Sequence, residues 1–186
     1  MASSDRERWN RRYRDPIRKL RKDPQKLLVD HAPPVQPGSR ALELACGLGF
    51  DAMWLAEQGY TVDAIDISIN ALRKARAGML ERGITGVNFI VADLDHGALP
   101  VYVYDLVYGF RFLDRSLFAA LRDRVRPGGI VIYETLNTRW VEIRPETRQS
   151  HMLAKGELIT FFSDWDVLHF DESTRMSGIV ARKPEA

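Results

Sequence analysis

Three carboxylates and two glycines carry the chemistry that this sequence can offer. Gly47 and Gly49 follow a short apolar run, Ala41 to Ala45, which holds Glu43. Asp66 closes a second apolar run that begins at Tyr60, and Asp93 follows a third, Val87 to Val91. Glycines at a turn remove side chains, so that backbone N–H groups and a helix start can approach a ligand. An acidic side chain ~20 residues beyond such a turn can accept hydrogen bonds from a ribose diol. Singly, each residue could be a helix cap or a solvated turn. Grouped around one turn, they point to a nucleotide-type ligand. The G-x-G spacing lacks the third glycine of the dinucleotide fingerprint, although Ala52 is a substitute which that pattern sometimes tolerates. This argues against a nicotinamide oxidoreductase.

These residues need a scaffold, and the hydrophobic pattern supplies one. The first run predicts a buried strand, and Ala52, Leu55 and Ala56 predict a helix over 52–58 that stops at Gly59. A second strand covers 60–66. Ser68 is a good N-cap for a long helix over 69–82, closed by Gly83. A third strand at 87–91 leads through a loop over 94–104 into a fourth strand, 104–109. Asp114 is placed to cap a helix that reaches Val125. Arg126-Pro-Gly-Gly129 reads as a turn before a fifth strand, 130–134. A short helix at 157–162 precedes alternating segments at 165–170 and 175–182, which read as an antiparallel hairpin at the sheet edge. Alternating strands and helices imply a parallel sheet with helices on both faces, and ligands of such sheets bind at the carboxyl ends of the strands. The fold class is α/β: a Rossmann-like, seven-stranded, mostly parallel sheet with an antiparallel terminal hairpin.

The motifs also carry a family resemblance. Glu43-Leu-Ala-Cys-Gly-Leu-Gly49, Asp66-Ile-Ser68 and Asp93 resemble the cofactor motifs of class I S-adenosylmethionine-dependent methyltransferases. Within that class the chain is most similar to the tellurite-resistance type. The matching segments are a W-x-x-R-Y start at Trp9 to Tyr13 and R-x-L-x-R at Arg111 to Arg115. Further on come P-G-G with Y-E-T between Pro127 and Thr135, then G-E-L at Gly156 to Leu158 with Trp165 behind it. The resemblance implies S-adenosyl-L-methionine as cofactor and assigns roles. Ala45, Gly47 and Gly49 admit the methionine part, and Glu43 orients the turn. Asp66 takes the ribose hydroxyls, Ile67 packs on the adenine, Asp93 binds its amino group beside Leu94, and Tyr13 belongs to a lid. Ala45 stands where glycine is frequent, and Phe50 where tellurite-type relatives often carry arginine.

The 186 residues fit one methyltransferase domain, with an N-terminal helical arm or lid over 1–30 and a substrate loop over 136–156. In the arm, a helix over 5–14 sets Trp9 and Tyr13 on one face, and Asp15-Pro16 breaks it. Asp23 caps a second helix with Pro24 at its first position, carrying Leu27, Leu28 and Val29. The loop 136–156 is irregular and long for a compact domain, which marks a functional segment. Of 27 Lys/Arg and 25 Asp/Glu, residues 1–26 hold ten and four, a local balance of +6, while the rest of the chain is −4. A basic arm suits nucleic acid or an anionic ligand, and it equally suits a solvated helix face.

Methyl transfer from a sulfonium is driven largely by positioning, and a hydroxyl or amine acceptor additionally needs proton removal. No residue pattern marks a dedicated base. Arg111, Tyr108, Glu134 and His151 are the candidate substrate contacts, with a salt bridge to Glu134 or Asp114 as the alternative for Arg111. Cys46, the one cysteine, reads as a small packing residue with no histidine near it in sequence. The histidines at 31, 96, 151 and 169 lack metal-ligand spacing, so no metal is expected. No apolar run is long enough to span a membrane and no apolar leader is evident, so a cytoplasmic enzyme acting on a small molecule is expected. Two alternatives stay open: an RNA or protein methyltransferase using the basic arm, and a non-catalytic domain that binds a nucleotide ligand. Oligomeric state is not legible.

Overall fold

The computed structural model describes residues 2–14, 23–94 and 99–185. The expected break at Asp15-Pro16 and His96 both lie outside the described residues. The elements are α1 (Ala2–Arg12), α2 (Lys26–His31), β1 (Arg40–Leu44), α3 (Phe50–Glu57), β2 (Thr61–Asp66), α4 (Ile69–Glu81) and β3 (Val87–Val91). They continue with β4 (Tyr104–Phe110), α5 (Leu117–Asp123), β5 (Val125–Leu136), α6 (Glu157–Thr160), β6 (Asp166–Asp171) and β7 (Met176–Arg182).

The strands form one seven-stranded sheet in the order β3-β2-β1-β4-β5-β7-β6. The first five are parallel, and β7 runs antiparallel between β5 and β6. Successive side chains of a strand point to opposite faces, and the apolar runs fill both. Ala41, Val62, Leu106 and Ile132 share one core with Leu28 of α2, Leu55 of α3 and Leu72 of α4. Leu42, Val107 and Val131 face the other side, with Phe118 and Leu121 of α5 and Leu158 of α6. Each fully buried aliphatic or aromatic side chain contributes ~1.5–3 kcal/mol, so two filled faces hold the sheet as a rigid platform. Register aligns Leu44 with Gly109, and Glu43 with both Ala64 and Tyr108. The carboxyl ends of β1, β2 and β4 therefore meet at one edge.

Several local expectations shift. Helix α2 starts at Lys26 with Gln25 before it, so Asp23 is not its cap and Pro24 is not its first residue. The helix expected from Asp114 to Val125 spans Leu117–Asp123. Asp114 instead accepts hydrogen bonds from the amide (3.0 Å) and hydroxyl (2.7 Å) of Ser116. The turn Arg126-Pro-Gly-Gly129 lies within β5, as a bulge: Tyr104 pairs with Val125 and Leu106 with Ile130. Gly129 is needed there, because a Cβ would lie 2.9 Å from the Arg126 carbonyl oxygen and 3.1 Å from that of Asp105. Ser68 does cap α4, accepting the Ala71 amide at 3.2 Å.

Candidate active site

After Leu44 the chain must turn within five residues to start α3. It does so with three left-handed residues, Ala45 (φ 52°), Gly47 (φ 56°) and Gly49 (φ 64°). The glycines adopt this region freely, whereas it costs a residue with a Cβ ~1–2 kcal/mol. Ala45 therefore holds strain. The turn is tied to β2 by the Cys46 amide, which donates to the Ile65 carbonyl at 2.8 Å. The Asp66 carboxylate completes the tie, accepting the Gly47 amide at 2.7 Å on one oxygen and the Ser68 amide at 2.8 Å on the other.

Above this turn lies a cavity of about 390 Å³, within the range of small-molecule sites. Its lining brings together Glu43, Ala45 and Gly47 from the first strand and turn, Asp66 and Ile67 from the end of β2, and Asp93 and Leu94 beyond β3. Tyr13 of the arm lines it too, so eight of the nine expected cofactor residues meet there. Gly49 does not line it. It is the residue before α3, and a Cβ on it would lie 2.6 Å from the Phe89 ring.

The arm crosses the mouth. Asn10 anchors α1 to α4: its Oδ1 accepts the Ser68 hydroxyl at 2.8 Å, and its carbonyl accepts the Asn70 side-chain amide at 3.0 Å. Trp9 and Tyr13 stack at 6.2 Å, with the Arg12 guanidinium 4.8 Å from the Trp9 ring. The Tyr13 hydroxyl sits so close to the turn that a Cβ on Gly47 would meet it at 2.6 Å. Trp9, Arg12 and Asp5 join the lining.

The fourth wall is the end of β4, where Phe110, Arg111 and Phe112 line the cavity. Arg111 has φ 57°, in the left-handed region, and two hydrogen bonds brace it there. Its amide donates to the Glu134 carbonyl at 2.8 Å, and the Tyr133 hydroxyl donates to the Phe112 carbonyl at 2.8 Å. The contact to Glu134 is thus made through backbone atoms.

The other expected substrate contacts lie elsewhere. Tyr108 is fully buried behind Glu43 and donates to its carboxyl at 3.2 Å. Glu134 is not in the lining, and His151 is exposed in a 3₁₀ turn at Gln149–His151. None of the residues 136–156 lines the cavity. That segment instead packs at the carboxyl end of β5, with Met152 and Leu153 buried and the Leu153 amide bonded to the Leu136 carbonyl.

Electrostatics set the character of the cavity. Burial pushes the Glu43 carboxyl well above the usual carboxylate range, and the neighbouring Asp51 charge adds to this. Burial likewise raises Asp66, against the two backbone amides that stabilise its charge. Asp51, buried in the first turn of α3, accepts the Gln25 amide at 2.6 Å and was not singled out from sequence. An acidic residue two positions beyond the glycine pair was the available signal. Cys46 lines the cavity as a thiol: burial, then the Glu43 and Asp66 charges, push its ionisation well up, which disfavours a thiolate nucleophile. The set of buried carboxyls suits a ligand that carries positive charge and hydroxyl donors. Among the described residues, no group of three or more His, Cys, Asp or Glu side chains is arranged to hold a metal.

Comparisons with known proteins agree with this geometry. The family described as "Methyltransferase domain" matches residues 41–129, from β1 to the bulge of β5. A ubiquinone biosynthesis O-methyltransferase of Escherichia fergusonii is 33% identical over 106 residues, covering 54% of this chain and 44% of the relative. The match thus spans less than half the length of that curated relative. Among solved structures, TehB from Haemophilus influenzae superimposes with a TM-score of 0.74 at 17% identity, over 96% of this chain and 66% of that one. An S-adenosylmethionine-dependent methyltransferase from Mesorhizobium loti superimposes with a TM-score of 0.68 at 20% identity, over 84% of this chain and 95% of that one.

Proposed function

We propose that this chain, which belongs to the class I S-adenosylmethionine-dependent methyltransferases, transfers the methyl group of S-adenosylmethionine to a small-molecule acceptor in the cavity beneath α1. The observation that carries the reading is the joint between β1 and β2. There the Asp66 carboxylate clasps the Gly47 amide while lining the same cavity as Glu43 and Asp93. Each Asp66 oxygen accepts one amide and keeps further lone-pair capacity for a hydroxyl donor. When bound, the cofactor supplies a methyl group on a cationic sulfur, open to in-line displacement by a nucleophile.

The residues supply position and field. Asp66 and Asp93 fix the nucleoside end, and Glu43 shapes the turn from below. Tyr13 and Trp9 close the mouth and limit the entry of water. The buried carboxyls favour a cationic ligand over a neutral one. The acceptor is a small nucleophile, such as a hydroxyl, oxyanion or thiol; the O-methyltransferase likeness favours oxygen.

Titration calorimetry with S-adenosylmethionine and S-adenosylhomocysteine tests the reading. Wild type should bind both in the micromolar range. Asp66→Asn, folded by circular dichroism, should bind at least tenfold more weakly. Absence of binding by the folded wild-type chain overturns the assignment.

A further inference from the structure

We propose that Arg111 selects an acceptor bearing an anionic group on an apolar body, a deepening that rests on the methyltransferase reading above. The cavity is chemically divided. Glu43, Asp51, Asp66 and Asp93 line it around the glycine turn and the ends of β2 and β3. The β4 wall presents different chemistry: a cation, Arg111, with the aromatic residues Phe110 and Phe112 lining the same cavity.

Three observations single Arg111 out. Its backbone lies at φ 57°, a region that side chains with a Cβ rarely adopt outside functional sites. That backbone conformation is braced by the Arg111 amide donating to the Glu134 carbonyl and by the Tyr133 hydroxyl donating to the Phe112 carbonyl. Among the described residues, its exposed guanidinium makes no hydrogen bond or ion pair, whereas Arg115, four residues on, is fully engaged by Glu157 and two backbone carbonyls. A planar, fork-shaped guanidinium in a cavity also lined by Phe110 and Phe112 suits an aryl carboxylate or a similar oxyanion. The other cation of the lining, Arg12, lies over Trp9 on the arm side of the mouth. The anion subsite is therefore on the sheet, independent of arm closure.

Paired probes test this. Binding of 3,4-dihydroxybenzoate and 3-mercaptobenzoate, each against its methyl ester, is measured by calorimetry on protein saturated with S-adenosylhomocysteine. Wild type, Arg111→Gln and Arg111→Lys are compared, and methyl transfer to each probe is followed with labelled S-adenosylmethionine. The acids should bind at least tenfold more tightly than the esters to wild type. Arg111→Gln should erase that preference and Arg111→Lys should keep part of it, with S-adenosylmethionine affinity unchanged within twofold in both. Equal binding of acids and esters, or binding of neither, overturns the proposal. So does a tenfold loss of S-adenosylmethionine affinity in Arg111→Gln, which would assign the guanidinium to the cofactor. A wild-type chain that binds no S-adenosylmethionine removes the underlying reading instead.

Discussion

Glu43 shows how a single residue can serve a site at a cost to the fold. It sits on a central strand with 3% of its surface exposed; the Tyr108 hydroxyl and the Ala52 amide donate to it, and the Asp51 charge lies nearby. Burial raises its folded-state ionisation above the unfolded value of 4.5. Below that value both states hold the proton and the fold is unpenalised. As pH rises towards the folded-state value, the unfolded chain gains by ionising and stability falls. Glu43→Gln keeps an acceptor for Tyr108 and removes the titration. Denaturant midpoints between pH 4 and 8 should fall more for wild type than for the variant, and parallel curves would refute the account. Ala45 is a second example, because its strain has no signature in residue type.

At the scale of elements, the segment after β5 is a strap, and one side chain gathers several of the contacts at its far end. Arg115, just before α5, makes paired contacts with Glu157 and donates to the carbonyls of Ser150 (3.0 Å) and Met152 (2.8 Å). Glu157 in turn accepts the Ala154 amide at 2.7 Å. Irregular sequence over 136–156 reads as a substrate loop because periodicity is silent about long-range contacts. The fold uses that irregularity to bring the chain back to the end of β5, where Leu153 pairs with Asn137. Arg115→Ala should cost about 1–2 kcal/mol, the range for a partly exposed, charge-assisted cluster. Tryptic cleavage after the exposed Arg148 should quicken, while S-adenosylmethionine affinity stays within twofold, since no residue of the strap lines the cavity. An unchanged cleavage rate would show that the strap is held by something else.

At the scale of the whole molecule, the cavity joins β1, β2, β4, the chain beyond β3 and the arm, so a ligand there ties distant segments together. With S-adenosylmethionine at a hundred times its dissociation constant, linkage gives ~2.7 kcal/mol of added stability. For a chain of this size, that raises the melting temperature by roughly 5–10 °C. A shift under 2 °C at that saturation would mean that the ligand also binds the unfolded chain or misses the cavity. What the amino-acid sequence alone determines is the local record: apolar runs of strand length, glycines at the turn, a serine cap on α4, and acids at the strand ends. These follow from short-range sterics and hydrophobic periodicity, which is why the sheet, its antiparallel hairpin and many of the residues that line the cavity were legible. Only the tertiary structure decided which side chains share a cavity. It turned Tyr108 inward to Glu43, put Asp51 beside them, held Arg115 on the strap and left Arg111 facing the cavity. Those outcomes depend on register between strands far apart in sequence, and on the ~1–2 kcal/mol of strain that the packed sheet can hold at Ala45 and Arg111.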